Sequence, residues 1–311
     1  LRNLASRAVA AALGTRTRQP GPVHLDLAYR EPLVPGPEAW PAPSGEGITR
    51  VDAAAPSAAP ELARGPRTLV VAGDGAGPAA AVLAEQGGWP LLAEPSSGSC
   101  HGPQRVGAYR LVLGASALTA RVERVVVLGR PTLSRPVQAL LAAAPEVLVV
   151  APDGLPWTDP ARRVDRVLAA VPVVTGGPVD DGGWARSWLA AGRTAAAAVG
   201  EVLAEASREA AAIGAVPGQV LAAALARATG PDDVLLVGAS NPVRDLDLVG
   251  GWPEPRLVVA NRGLAGIDGA VSTATGLALG LGRPVRAYLG DLTALHGIAG
   301  LLVGPMESRP D

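Results

Sequence analysis

An aspartate that follows an apolar run near residue 290 is the first group able to do chemistry. Asp291 comes directly after RAYLG and precedes Leu292 and Thr293. A carboxylate at a strand end, with a helix N-terminus after it, can hold Mg²⁺ against a diphosphate, because the cation takes carboxylate and phosphate oxygens and the first helical N–H groups bind phosphate. Asp291 could instead cap that helix through a hydrogen bond to a backbone N–H. This segment alone leaves both interpretations open.

Two arginines follow two other apolar runs. Arg244 lies in SNPVRDLD and Arg262 in ANRGLAGIDG, each a few residues beyond a strand-like segment. Guanidinium groups hold carboxylates through paired hydrogen bonds, so two of them at one sheet edge could clamp an acidic substrate. Each arginine could instead pair with an aspartate close in sequence, the candidates being Asp245, Asp247 and Asp268.

A glycine-rich segment, GDGAGP at residues 73–78, follows the apolar run RTLVVA. Glycines at a strand-to-helix turn let the backbone approach a phosphate, as in dinucleotide-binding folds. The spacing differs from G-x-G-x-x-G, and Glu94 is the nearest acidic residue that could contact a ribose. The alternative is that these glycines only turn the chain. The sequence contains no G-x-S-x-G, H-E-x-x-H or Walker motif.

Short apolar runs with polar C-terminal ends must position these groups. VLLVG, RLVVAN and RAYLGD, between residues 234 and 291, are typical of buried parallel strands that share one ligand-binding edge. Further strands are predicted at residues 23–27, 67–72, 90–93, 125–128, 146–150 and 171–174. Helices are predicted at residues 1–13, 79–86, 136–144, 164–170, 184–212 and 218–228, with a break in the longest near Gly192 or Gly200. This alternation predicts an α/β fold with doubly wound parallel sheets.

Composition excludes several classes of function. The net charge of −1 gives no electrostatic reason for binding nucleic acid or an anionic membrane. Cys100 is the only cysteine, which excludes an intrachain disulfide and a cysteine-based metal site. No apolar run approaches the ~20 residues that span a bilayer, so we predict a cytoplasmic protein. Because the chain begins at Leu1 within a helical pattern and Met306 is its only methionine, we expect an internal piece of a longer protein.

Six segments in order resemble one known family. They are GPVHLDLAYREPL, AEPSSG, VVVLGRPTLSRPV, SNPVRDLD, ANRGLAGIDGAVSTATG and YLGDLTALHGIAGLLVGP, and they extend over nearly the whole chain. They closely resemble segments of the 2-succinyl-5-enolpyruvyl-6-hydroxy-3-cyclohexene-1-carboxylate (SEPHCHC) synthases, thiamine-diphosphate enzymes of menaquinone biosynthesis. ANRGLAGIDGAVSTATG and GDLTALH are the specific segments, whereas GD alone would be shared with every thiamine-diphosphate enzyme.

The resemblance implies three domains in the full protein, of which this chain holds part. Residues 1–35 would end the pyrimidine-binding domain, and residues 36–60 would be a linker. Residues 61–178 would form the central domain, and residues 179–311 the diphosphate-binding domain, truncated partway. The central domain of this family does not hold the cofactor, so the resemblance supports the simple-turn interpretation of GDGAGP.

The activity that the resemblance implies is that of a transferase. 2-Oxoglutarate is decarboxylated with the help of thiamine diphosphate, and the resulting succinyl carbanion equivalent adds to isochorismate in a 1,4-fashion. Ser240, Arg244 and Arg262 match the groups that hold the distal carboxylate of the 2-oxoglutarate-derived intermediate. Arg135 matches a basic central-domain residue near the isochorismate site.

Five residues match the cofactor site of the family. Asp291 matches the ligand of Mg²⁺, with Mn²⁺ as a substitute, and Gly290, Leu292 and Thr293 match the residues that line the diphosphate. Ile267 matches the large apolar residue that wedges the cofactor into its bent form.

Some family features are altered or expected outside the chain. Ala239 stands where the family usually has Asn, and Gly297 where it usually has Asp. The resemblance also implies that the rest of the metal site follows Asp311 and that the activating glutamate precedes Leu1, the glutamate being supplied by the partner subunit of a homodimer or dimer of dimers. We therefore expect the isolated chain to be inactive.

Three other interpretations compete with this one. The first is a non-catalytic nucleotide-binding α/β module that uses GDGAGP. The second is another thiamine-diphosphate enzyme of the acetolactate-synthase type, in which the paired arginines would not be expected. The third is a degenerate structural remnant.

Overall fold

Three parallel sheets, of five, three and two strands, and nine α-helices are seen in the part of the chain that the structure, a computed structural model, describes. The described residues are 2–31, 33–34, 36, 47, 49–53, 55–115, 117–152, 157–177, 183–263, 266–306 and 308–309. Within the predicted linker at residues 36–60, residues 37–46, 48 and 54 therefore lie outside this description. None of the described helices is long and apolar enough to cross a membrane.

The larger sheet has five parallel strands. They are β2 (Thr68–Ala72), β3 (Leu91–Ala93), β4 (Arg124–Leu128), β5 (Glu146–Val150) and β6 (Arg166–Leu168), in the spatial order β3-β2-β4-β5-β6. Its central strands are runs of Val and Leu buried on both faces, as expected when helices cover both sides of a parallel sheet. The covering helices that follow these strands are α2 (Ala79–Gly87), α3 (Tyr109–Ala115) and α4 (Arg135–Ala143).

The smaller sheet has three parallel strands, with β8 (Val234–Val237) between β10 (Val285–Tyr288) and β9 (Leu257–Val259). This confirms the three strands predicted from VLLVG, RLVVAN and RAYLGD. The accompanying helices are α5 (Gly183–Ala211), α6 (Gly218–Ala228), α7 (Asn241–Val249), α8 (Ala270–Leu281) and α9 (Asp291–His296). Parallel pairing sends the C-terminal ends of all three strands to one edge, which we call the carboxyl edge.

The two sheets share a core. Leu91 and Ala93 of the larger sheet belong to the same buried cluster as Leu246, Trp252 and Val258 of the smaller one. The long helix α5 packs its N-terminal half on the other face of the larger sheet, where Trp184 and Trp188 are buried. It is unbroken, so the predicted break near Gly192 or Gly200 is wrong. Gly192 instead serves close packing, since a Cβ there would lie 2.8 Å from Cγ1 of Val106.

Two other predicted elements are wrong. Residues 23–27 alternate in polarity, but they form no strand, and Val23, Leu25 and Leu27 are exposed. No other described segment pairs with them, and alternation alone cannot supply the hydrogen-bond partners that a strand requires. The helix predicted at residues 164–170 is also wrong, because β6 occupies Arg166–Leu168 and pairs with β5.

Two short pieces complete the fold. The helix α1 spans Arg2–Ala12, as the periodicity predicted. The strand β7 (Val173–Thr175) forms near the predicted position, but it pairs with β1 (Glu61–Ala63) in a separate two-stranded sheet. The α/β class with parallel sheets is thus confirmed.

Candidate functional site at the carboxyl edge

Ser240 begins the site at the end of β8. It is the N-cap residue of α7, and its backbone has φ 72° and ψ −129°. A non-glycine residue at such a φ is strained, and strain of this kind tends to be retained where function requires a particular geometry. Arg244 lies one turn along α7, is exposed, and donates from Nη1 to the carbonyl oxygen of Ser240 at 2.7 Å. The two residues therefore lie together at the start of α7.

Arg262, which follows β9, has a different environment. Its side chain is buried, and both Nε and Nη2 donate to Oγ1 of Thr132, at 3.2 and 3.0 Å. Thr132 belongs to the segment after β4 in the larger sheet, 130 residues earlier in the chain. The guanidinium of Arg262 is thus held at the contact between the two sheets.

The aspartates proposed as alternative partners for these arginines are engaged elsewhere. Asp245 accepts a hydrogen bond from Nε2 of Gln219 at 2.8 Å. Asp268 lies 2.7 Å from Nδ1 of His296. Within the described part of the chain, neither Arg244 nor Arg262 forms an ion pair with a carboxylate.

Asp247, the third of these aspartates, is buried between α7 and α3. Its Oδ1 accepts a hydrogen bond from Oη of Tyr109 at 2.7 Å, and Nε of Arg110 lies 2.9 Å from its Oδ2. Burial raises the pKa of Asp247 to about 6, although the Arg110 charge and the Tyr109 hydrogen bond act in the opposite direction. Arg110 also donates from Nη2 to the carbonyl oxygen of Arg244 at 2.8 Å. The helix α3, which packs on the larger sheet, thereby holds α7, the helix that follows Ser240 and carries Arg244.

Glu94 is a second buried carboxyl at this contact. It is 2% exposed at the end of β3, and its Oε1 accepts the backbone N–H groups of Thr132 and Leu133 at 2.7 and 2.9 Å. Burial raises the pKa of Glu94 to about 7, and Asp247 adds to this, whereas the two backbone hydrogen bonds and the charge of Arg262 lower it.

Sequence reasoning missed the role of this contact. It considered Glu94 only as a ribose ligand, and it considered neither Thr132 nor Tyr109 nor Arg110. The available signal was that AEP and GRPT both follow predicted parallel strands, which brings polar strand ends to a common edge.

Arg135 is the first residue of α4 and is exposed. It follows the same β4 segment that carries Thr132, so the structure places it on the larger sheet's side of the contact with Arg262. No described hydrogen bond or ion pair engages its side chain.

Asp291 begins α9 directly after β10. The N-cap of α9 is Gly290, and no side chain caps this helix, so the interpretation of Asp291 as a cap is wrong. Asp291 and Leu292 are exposed, whereas Thr293 is buried. A Cβ on Gly290 would meet nothing within 4 Å, so the backbone before Asp291 is open to a ligand. Ile267, half-buried, precedes α8 on the same side of the small sheet.

These residues fit a hard cation held mainly by phosphate and water oxygens. Asp291 has no hydrogen-bond or ion-pair partner among the described residues, and its exposed carboxylate can supply one protein oxygen. No described group of three or more His, Cys, Asp or Glu could hold a metal by itself. Gly297, at the end of α9, packs closely, since a Cβ would lie 3.1 Å from Cγ2 of Val271.

The GDGAGP turn packs against the turn that follows β4. Asp74 and Arg130 exchange backbone hydrogen bonds of 3.0 and 2.9 Å, which joins the turns after β2 and β4. A Cβ on Gly73 would lie 2.1 Å from the carbonyl carbon of Arg130, and one on Gly129 would lie 2.6 Å from the backbone nitrogen of Ala76. The two turns thus pack against each other where the strand order of the larger sheet reverses. Gly73 and Gly129 allow this close packing, which gives each of them a structural role.

Comparison with known proteins identifies the family. No protein-family model matches the chain. The 2-succinyl-5-enolpyruvyl-6-hydroxy-3-cyclohexene-1-carboxylate synthase of Nocardioides sp. is 48% identical over 310 residues, which cover 94% of this chain and 54% of that protein. The protein of the same name from Kineococcus radiotolerans is 46% identical, covering 100% and 55%, and that from Renibacterium salmoninarum is 42% identical, covering 94% and 51%. The chain spans about half the length of the curated relatives it matches, and it belongs to the SEPHCHC synthase family.

Proposed function

We propose that the full-length protein is a transferase that decarboxylates 2-oxoglutarate and adds the succinyl unit to isochorismate in a 1,4-fashion, giving SEPHCHC for menaquinone biosynthesis. The name of the relatives, at up to 48% identity, supports this activity. When bound, thiamine diphosphate supplies the electron sink for the loss of CO₂. The protein's own residues bind and orient the two substrates.

The observation that carries the proposal is the pair of arginines without acidic partners. The described carboxylates near Arg244 and Arg262 in sequence are engaged by other groups. Two guanidinium groups without acidic partners at the carboxyl edge are suited to bind the carboxylate of a substrate, because guanidinium groups bind carboxylates with paired hydrogen bonds. We assign Arg244, Arg262 and the hydroxyl of Ser240 to the distal carboxylate of 2-oxoglutarate, and Arg135 to isochorismate.

The cofactor would be held at the start of α9. Asp291 would provide a carboxylate oxygen to Mg²⁺ or Mn²⁺, and the backbone at Gly290, Leu292 and Thr293 would line the diphosphate. Ile267 would support the cofactor from the start of α8. The open backbone at Gly290 and the exposed Asp291 carboxylate support this arrangement.

The domain organisation follows from the same family. We propose that residues 1–35 end a pyrimidine-binding domain, that residues 36–60 are a linker, and that residues 61–178 and 179–311 belong to the central and diphosphate-binding domains. The protein would act in the cytoplasm as a homodimer or dimer of dimers, as in the family that the sequence resembles.

Steady-state kinetics of the full-length protein test the arginine assignment. Arg244→Ala and Arg262→Ala should each raise the KM for 2-oxoglutarate by about 30-fold or more, because each removes one guanidinium partner of the bound substrate carboxylate. Arg208→Ala is the matched control, since Arg208 is exposed on α5 and, among the described residues, pairs only with Glu205 and the backbone of its own helix. Unchanged 2-oxoglutarate kinetics in both variants would refute the assignment.

A further inference from the structure

The geometry points to Thr132 and Glu94 as residues that position the guanidinium of Arg262 for its substrate carboxylate. Both come from the larger sheet, whereas Arg262 comes from the smaller one. The inference rests on the proposed role of Arg262 and deepens it. It makes the contact between the two sheets part of the substrate-binding machinery.

Thr132 fixes the orientation of the guanidinium. Two N–H groups on one edge of Arg262, at Nε and Nη2, converge on a single oxygen, Oγ1 of Thr132. A planar group held at two adjacent nitrogens cannot rotate freely about its long axis. Nη1 has no partner among the described residues and remains available to a carboxylate.

Glu94 fixes the backbone that carries Thr132. Its Oε1 accepts the N–H groups of Thr132 and Leu133 at 2.7 and 2.9 Å, and no described hydrogen bond reaches its other oxygen. The segment after β4 is therefore hydrogen-bonded, through two consecutive residues, to the end of β3. Without these two hydrogen bonds, a displacement of Thr132 would also displace the guanidinium of Arg262.

Burial makes this positioning necessary. Arg262 is 6% exposed, so its guanidinium has little access to water that could replace a lost partner. A buried cation needs directed hydrogen bonds and a compensating negative charge. The Thr132 hydroxyl provides the first, and the carboxylate of the bound substrate would provide the second.

The test compares Thr132→Val with Thr132→Ser in the full-length protein. Valine keeps the shape of threonine without the hydroxyl, whereas serine keeps the hydroxyl. The KM for 2-oxoglutarate should rise by about tenfold in Thr132→Val, the effect of losing a hydrogen bond to a charged group, and should stay within about twofold in Thr132→Ser. With 2-oxobutyrate, which lacks the distal carboxylate, Thr132→Val and the unaltered protein should give the same kinetics.

A purely structural role of Thr132 would give a different pattern. Equal losses in both Thr132 variants, equal losses with 2-oxoglutarate and 2-oxobutyrate, or an unchanged KM in Thr132→Val would each overturn the proposal. Thermal unfolding of Thr132→Val within a few degrees of the unaltered protein would confirm that the kinetic change is local.

Variants of Arg262 and Glu94 distinguish the substrate-binding role of Arg262 from the positioning role of Thr132 and Glu94. If Arg262→Ala raises the KM for 2-oxoglutarate and Thr132→Val does not, positioning fails while the proposed function stands. If Arg262→Ala has no effect, the role of Arg262 itself is wrong and positioning falls with it. Glu94→Gln keeps an oxygen acceptor for both N–H groups and should stay within about twofold of the unaltered KM, whereas Glu94→Ala should resemble Thr132→Val.

Discussion

Replacement of Glu94 by Gln should change how stability depends on pH. Glu94 is 2% exposed, and burial raises its pKa from 4.5 to about 7 in the folded protein. In the unfolded chain the carboxyl regains water, and its pKa returns close to 4.5. Between these two values the folded state binds more protons than the unfolded state, so this group's contribution to stability falls as pH rises.

The magnitude follows from the two pKa values. The interval between 4.5 and about 7, at about 1.4 kcal/mol per pH unit, corresponds to about 3 kcal/mol. The contribution of the protonated Glu94 is fully present below pH 4.5 and has been lost above pH 7. Glutamine does not titrate, so Glu94→Gln should become more favourable relative to the unaltered protein by about 3 kcal/mol between pH 4.5 and pH 8.

Denaturant unfolding of both proteins at several pH values measures this difference. Asp247, whose pKa is raised to about 6, titrates in the same range and is present in both proteins, so it enters the comparison only through its charge interaction with Glu94. A difference in unfolding free energy that is the same at pH 5 and pH 8 would show that Glu94 titrates near its ordinary pKa. A change in the opposite direction would show that Arg262 stabilises the carboxylate more than burial destabilises it.

Three further substitutions probe the fold and the site. Tyr109→Phe removes a hydrogen bond to the buried carboxylate of Asp247 and should lower the unfolding free energy by about 1.5–3 kcal/mol in urea titrations. Gly73→Ala places a Cβ 2.1 Å from the backbone of Arg130, and a loss of less than about 1 kcal/mol would contradict the close packing of the two turns. Asp291→Asn should raise the Mg²⁺ concentration needed for half-maximal activity of the full-length protein by about tenfold or more, and an unchanged Mg²⁺ titration would exclude Asp291 as a ligand.

Several features could be predicted from the sequence because they depend on neighbouring residues. Runs such as VLLV at residues 234–237 and RVVVL at residues 124–128 are buried parallel strands, since a short apolar run rich in Val and bounded by turn residues is typical of a strand covered on both faces. The long helix α5 could also be predicted, because its periodicity extends over many turns. The family could be recognised from ordered segments alone, and the relatives confirm it.

Other predictions were wrong where the local sequence pattern did not reveal whether the fold supplies a segment to pair with. Residues 23–27 have the alternation of a strand but no described neighbour to pair with. Residues 166–168 were expected within a helix, but the open edge of β5 pairs with them as a strand. The sequence left open why Gly73 is a glycine, and the backbone of Arg130 packed against it gives the structural reason.

The amino-acid sequence by itself thus determined most of the strands and helices, the positions of the arginines and the aspartate that follow them, and the family. Only the tertiary structure decided how these groups are partnered. Arg262 is bound by Thr132, 130 residues away, and Asp247 is bound by Tyr109, 138 residues away. Such pairs are set by the packing of two sheets against each other, because burial requires each polar group to find a partner from whichever segment the fold brings beside it.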